Sequence, residues 1–291
     1  MNQQKFIVST TVVSLLACIS YIVALSTEHW LEATAVLTDR LQSNVTYGLF
    51  SGSIERHQLA STLKFSLTVV CHVDLNACMY SCQRDADHRQ DELRRVIHGQ
   101  DLDPCEQRRF FKAKPYVNDS TTYSHDSTKT SSKHKNTPIQ NTPAYISASL
   151  YICSVMFLCL AFAFSLTSLI CSAINLKWHP VERIFNIFGL FVWNGIAIVG
   201  CFWSLAFWSA LFGSQLRYNI AITDTLRQQL KFTSEGYASL GYSYYLVIVI
   251  MVLHIINLVL LFIRNYSISK QPHQVPNNIT IDDTDARLEF Y

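Results

Sequence analysis

The sequence predicts an all-α transmembrane four-helix bundle with a small extracellular β-sheet subdomain in the first loop. Four stretches reach the roughly 20 apolar residues that a membrane-crossing helix needs. Charge is sharply partitioned: only 15% of the 291 residues are charged, against ~25% in ordinary soluble domains, and the four stretches contain none of them. Cysteine is partitioned too. Cys71, Cys78, Cys82 and Cys105 fall between the first and second stretches, while Cys18, Cys153, Cys159, Cys171 and Cys201 lie within the apolar segments.

Residues 1–5 form a short N-terminal segment, and the first span covers 6–25 (FIVSTTVVSLLACISYIVAL). Its apolar core is long, and no small-residue cleavage site follows Cys18, so a retained anchor is expected in place of a cleaved signal peptide. Loop one occupies 26–146: a β-rich zone at 30–71, a cysteine-bearing helical zone at 72–111 and a disordered insert at 112–143. The second span covers 147–174. A turn at 175–183, broken by Pro180, leads to the third span at 184–212. Loop two covers 213–243, the fourth span 244–263 and the tail 264–291. No span contains proline, so each should run as an unbroken helix.

Four passes place both termini on one side of the membrane. Positive-inside counting does not choose that side, because Arg217, Arg227 and Lys231 offset Lys5, Lys177, Arg183, Arg264 and Lys270. The cysteines do. Four in one loop and none in the other four extramembranous segments is the division of an oxidised external domain above a membrane bundle. Loop one also carries the sequons Asn44-Val-Thr and Asn118-Asp-Ser as candidate glycosylation sites. A multi-pass plasma-membrane protein with cytoplasmic termini is therefore expected, and the tail sequons at Asn265 and Asn278 would be silent.

In the β-rich zone, NVTYGLF and LKFSLTVV have the β-branched and aromatic composition of strands with one wet face. About three such strands have little core of their own and need bracing. Disulfides among Cys71, Cys78, Cys82 and Cys105 would supply it, and the sequence leaves three pairings open. The Cys78-x3-Cys82 spacing puts both thiols on one helical face. A bond inside one regular helix would be strained, so each should find a more distant partner. Zinc, with His72 and His88 nearby, is the competing use, and an oxidising compartment disfavours it. RDADHRQDELRRVIHG reads as a short helix with a Leu93, Val96, Ile97 stripe and a solvated charged face. The polar insert VNDSTTYSHDSTKTSSKHKNTPIQNTP lacks the apolar residues that would repay its ordering.

Inside the spans, Asn194 lies in the third, and His254 and Asn257 lie three apart on one face of the fourth. Interhelical hydrogen bonding is the expected role, with an ion, proton or lipid-headgroup site as the alternative. No Asp or Glu accompanies them, so no charged relay or cation-lined pore is foreseen. Gly189, Gly195 and Gly200 suggest close helix packing. Trp208, Phe212, Tyr242, Tyr244 and Tyr245 fit an outer aromatic belt, Trp178 an inner one, while Trp193 and Trp203 lie deeper.

Chemistry is sparse. The net charge of +2, from 23 basic and 21 acidic residues, offers no field for nucleic acid. There is no G-x-S-x-G, H-E-x-x-H, phosphate-binding loop or C-x2-C pair. No catalytic, cofactor-binding or metal-ligating residue is assigned, no cofactor is implied, and enzymatic activity is not expected.

Several strings resemble the clarin family of claudin-like four-pass proteins. Trp30 follows the first span in ALSTEHW. Tyr47-Gly48-Leu49-Phe50 with Gly52 resembles the clarin YGLF-x-G string, with Asn44 just before it. Leu240-Gly241-Tyr242-Ser243-Tyr244 resembles the stretch that leads into the last clarin span. No claudin-type cysteine follows YGLF closely, and the insert lengthens loop one. The resemblance implies a non-enzymatic tetraspan membrane organiser or adaptor, arranging membrane-protein complexes and their cytoskeletal links in sensory or other specialised cells. Its implied partners are the lipid bilayer, other membrane proteins, and scaffold or cytoskeletal adaptors. The terminal LEFY could add a PDZ-type contact. Claudin-like cell–cell adhesion and service as an auxiliary channel or receptor subunit are the alternatives.

Overall fold

The computed structural model describes residues 3–38, 41–58, 61–98, 100, 105, 145–177, 187–218 and 236–269. Four helices are long and apolar enough to cross a membrane: α1 (Gln3–Ser26), α3 (Ala148–Lys177), α4 (Ile187–Leu211) and α5 (Tyr242–Ser269). Each outruns the apolar minimum by a few residues, because helix geometry continues into the flanking polar turns. A π-helical turn, Phe212–Leu216, extends α4. The helices form a ring in which α1 and α4 each pack against both α3 and α5. The chain is a multi-pass membrane protein.

Between α1 and α3 the chain builds most of a curled antiparallel sheet. Its strands are β1 (Leu31–Thr38), β2 (Leu41–Tyr47), β3 (Ser51–Gln58), β4 (Ser61–His72), β5 (Ala77–Ser81) and β6 (Ile146–Ser147). Loop two contributes β7 (Ala238–Leu240), and the spatial order is β6-β5-β4-β3-β2-β1-β7. The two edge strands are the residues immediately before α3 and α5, so both sheet edges run directly into membrane helices.

Alternation assigns the two faces, because successive side chains point to opposite sides. Leu31, Ala33, Val45, Tyr47, Ile54 and Leu67 are buried and form one continuous core with Tyr21, Leu205, Trp208 and Val247 of the bundle. Register places Thr34, Asn44, Glu55 and Lys64 side by side on the opposite, wet face. At β5 both faces are covered. Cys78 and Tyr80 face the bundle, while Ala77 and Met79 pack with Val70 beneath Leu93 and Val96 of α2 (Ala86–Ile97).

Several expectations are corrected. The sheet has seven strands where about three were expected: the stretch from Leu31 to His72 folds into four, β5 adds a fifth, and short segments at the helix entrances add the last two. Cys78 stands on β5, not on a helix. Glu92 of α2 is fully buried and accepts a hydrogen bond from the Ser81 hydroxyl. It lies one position from Leu93 on the covered flank, so the charged face is not wholly solvated. Trp208 is not a belt residue but is completely buried. The predicted tail begins as helix, since α5 runs on to Ser269, whereas the insert at 112–143, Asn118, Trp178, most of the 175–183 turn and the rest of the tail with its PDZ-like end lie outside the described residues.

Candidate functional site

The family-like motif residues converge where sheet and bundle meet. Trp30 is fully buried. Its indole Nε1 donates to the Ala24 carbonyl at 2.7 Å, and its ring meets Trp208 edge to face at 5.1 Å. Its backbone amide donates to the Tyr47 carbonyl at 2.9 Å. Tyr47 stacks on Tyr80 with ring centroids 3.8 Å apart. The turn Gly48–Ser51 then closes through the Gly48 amide to the Ser51 carbonyl at 2.8 Å.

Two tyrosines lock that turn. Tyr80 donates its phenol to the Gly48 carbonyl at 2.6 Å, and Tyr151 of α3 donates to the Leu49 carbonyl. Burial drives the Tyr80 phenol well above its ordinary ionisation range, so it remains a donor. Leu49 is buried, whereas Phe50 is 53% exposed and lies beside Ile152, Val155 and Met156 of α3. A Cβ on Gly48 would come within 2.6 Å of the Thr27 carbonyl, and one on Gly52 within 2.6 Å of the Thr46 carbonyl. Backbone contact this close leaves room only for hydrogen.

The second junction uses the stretch before α5. Gly241 donates to the Trp30 carbonyl at 3.0 Å, and Ser243 donates to the His29 carbonyl at 3.1 Å. A side chain on Gly241 would overlap the His29 carbonyl. Tyr242 stacks on His29 at 4.9 Å. A third junction forms at α3: Asn76, with φ +46°, accepts from the Ser149 amide at 2.8 Å and so caps the helix start. Gln215, carried by the π turn, accepts from the Ser147 amide at 2.6 Å. The α3–β5 and α4–β6 links are invisible in sequence, because Asn76 and Gln215 have no local signature.

The intramembrane polar residues come together as one buried cluster joining all four helices. Asn194 Nδ2 donates to Ser168 Oγ of α3 and to the Leu190 carbonyl, both at 2.8 Å. Its Oδ1 therefore accepts, from His254 Nδ1 at 2.8 Å and from Asn257 Nδ2 at 3.3 Å. Asn257 also donates to Ser14 Oγ of α1 at 2.9 Å. This is interhelical bonding, with serines as the partners that the amide positions alone did not name. Gly200 packs close to α3, and Gly195 faces open space.

The remaining candidates lie on the sheet. Asn44 is exposed, accepts from Thr34 Oγ1 at 3.2 Å and borders a polar concavity with Glu28, His29, Glu55 and Lys64. Lys64 donates to Glu55 at 2.8 Å, which lowers the carboxyl pKa and raises that of the amine. The disulfides are Cys71–Cys78, linking opposed residues of β4 and β5, and Cys82–Cys105, closing across α2. The four loop-one thiols that zinc would need are thus used in disulfides. Among the described residues no group of three His, Cys, Asp or Glu side chains is placed to hold a metal ion.

Four spans welded to a first-loop antiparallel sheet define a tetraspan membrane protein whose architecture is consistent with a claudin- or clarin-like fold. No family model and no curated protein matches the chain.

Proposed function

We propose that the chain is a non-enzymatic tetraspan organiser, clarin-like in role, that arranges membrane-protein complexes and their cytoskeletal links at the plasma membrane. One observation carries this reading: the sheet shares a continuous core with the bundle. It is therefore a rigid extension of the spans, able to hold a fixed surface above the membrane. Tyr80, Tyr151, Asn194 and Asn257 spend buried donors on hydrogen bonds between elements, which suits a scaffold. The exposed Phe50 at the rim is a natural contact for a neighbouring protein. In this reading both termini are cytoplasmic and Asn44 carries a glycan.

The test is proximity labelling from a tail-fused labelling enzyme in cells, comparing wild type with Phe50→Ser. A defined set of membrane and scaffold proteins, reduced by the substitution, is the expected outcome. Identical background-level neighbours in both samples would sink the proposal. Enrichment only at contacts between two expressing cells would favour adhesion instead. Glycosidase treatment of Asn44→Gln, Asn118→Gln and Asn278→Gln checks the orientation: a mobility change lost only in Asn278→Gln would place the tail outside and overturn it.

A further inference from the structure

Basic side chains near the ends of membrane helices ordinarily stretch their charged heads toward water. Lys5 and Arg217 are exposed. Arg264 is not: it is 7% exposed, and its Nε and Nη1 have no hydrogen-bond partner among the described residues. Its direction follows from spacing. The buried positions of α5, namely Ser243, Val247, Ile250, His254, Asn257 and Leu261, recur at alternating intervals of four and three, and Arg264 is the next in that series. The guanidinium therefore faces the bundle interior.

The surroundings are set by the neighbouring turns. Leu261 packs with Cys171 of α3 and Leu190 of α4. One turn beyond Cys171, toward the same end, Asn175 is buried, and its Nδ2 donates to the Cys171 carbonyl at 2.8 Å. Helix α4 also starts at this end, with no acidic residue in its first turn, so its dipole adds positive potential. None of the four spans contains Asp or Glu. A buried guanidinium with unmet donors and no nearby carboxylate in the spans is costly unless an anion completes it. The apolar span ends only three residues later, at Ser267, which is roughly 5 Å of helix rise and places Arg264 near headgroup depth.

We propose that Arg264, at the mouth formed by the ends of α3, α4 and α5, binds a phosphate-type anion supplied by the headgroup of an anionic phospholipid. The planar guanidinium fork matches two phosphoryl oxygens, which an ammonium cannot do in the same way. The rival acceptor is the chain's own Glu182 in the inner turn, which lies outside the described residues.

Full-length protein in neutral detergent tests this by thermal unfolding with phosphatidylglycerol, phosphatidylcholine or inorganic phosphate, with native mass spectrometry counting retained lipid. Phosphatidylglycerol at roughly ten times its Kd should raise the wild-type Tm by about 2–4 °C, and phosphatidylcholine should not. Arg264→Gln should lose both the shift and the retained lipid while its lipid-free Tm stays level or rises. Glu182→Gln should keep the lipid response. A rise with inorganic phosphate equal to that with lipid keeps the site and assigns it to a soluble anion. No wild-type shift, an undiminished shift in Arg264→Gln, or matching non-additive losses of lipid-free stability in Arg264→Gln and Glu182→Gln would overturn it. Should Arg264→Gln fail to fold, lipid retention in Arg264→Lys decides: equal retention overturns the site and reduced retention supports it.

Discussion

At the sheet end of the bundle, α1, α4 and α5 are joined by ring packing of Trp30 on Trp208 at 5.1 Å and by backbone contacts at Gly241 too close for a Cβ. Toward the opposite end the same helices are joined by side-chain amides and hydroxyls, Ser14, Asn194, His254 and Asn257, and α1 is joined to α3 by Thr11 with Ser172 at 2.7 Å. The difference follows from the two solvents. Near water, burying aromatic surface is favourable, and backbone groups must find partners as they leave it. In hydrocarbon, apolar burial between helices gains little, so close packing and polar contacts must provide the attraction. The sheet end should therefore carry most of the folding stability, and the polar cluster the alignment of the spans.

That contrast can be broken most forcefully at Trp30. Trp30→Ala should cost about 3–5 kcal/mol, read as a fall in detergent denaturation midpoint. A double-mutant cycle with Trp208→Ala should return about 0.5–1.5 kcal/mol of ring coupling. A loss below 1 kcal/mol would mean that the junction is not the stabilising region.

Next comes a glycine pair that separates close approach from helix propensity. Gly241→Ala should destabilise by about 1–3 kcal/mol through overpacking. Gly195→Ala, whose Cβ would enter open space, should be neutral or stabilise by up to about 1 kcal/mol. Equal effects in the same thermal assay would remove the steric argument.

Tyr80→Phe should cost about 1–3 kcal/mol by leaving the Gly48 carbonyl unpaired. It carries a pH signature as well. The folded-state pKa of Tyr80 is raised, while the unfolded phenol ionises near 10. Its contribution is therefore complete below pH ~10 and falls as pH rises above that value. Stability of the wild type should drop by up to about 1.4 kcal/mol per pH unit from this group there, and Tyr80→Phe should lack that share of the slope. Identical alkaline profiles would count against a buried, neutral Tyr80.

The smallest effect is expected in the membrane. The Asn194/His254 coupling should lie at about 0.6 kcal/mol and not above roughly 2, measured by a double-mutant cycle with Leu and Phe replacements. A value as large as the Trp30 loss would reverse the ranking of the two ends.

The parts legible in the sequence were those with a local physical signal. Span length and absence of charge locate α1, α3, α4 and α5. The cysteine division locates the braced loop, and β-branched and aromatic composition locates a strand-forming zone at 30–71, which the structure fills with β1 to β4. The polar cluster was half legible: Asn194, His254 and Asn257 stand out in apolar text, while Ser14 and Ser168 do not, because serine is common in membrane helices. Trp208 was misplaced because a tryptophan near a span end reads equally as a belt residue or as core. Glu92 was misplaced because charge alternation does not show which flank of α2 meets the sheet.

By itself, then, the sequence determined four membrane spans, a strand-forming first loop and an amide at membrane depth, since each depends on composition and spacing within a few turns of chain. Only the tertiary structure decided that β7 from loop two closes one sheet edge, that Cys78 pairs with Cys71, that Gly241 presses on His29, and that Arg264 is turned inward with its Nε and Nη1 unpaired among the described residues. Those contacts join residues up to 212 positions apart. Their geometry is set by how the helices pack and where their ends meet, which no local pattern encodes.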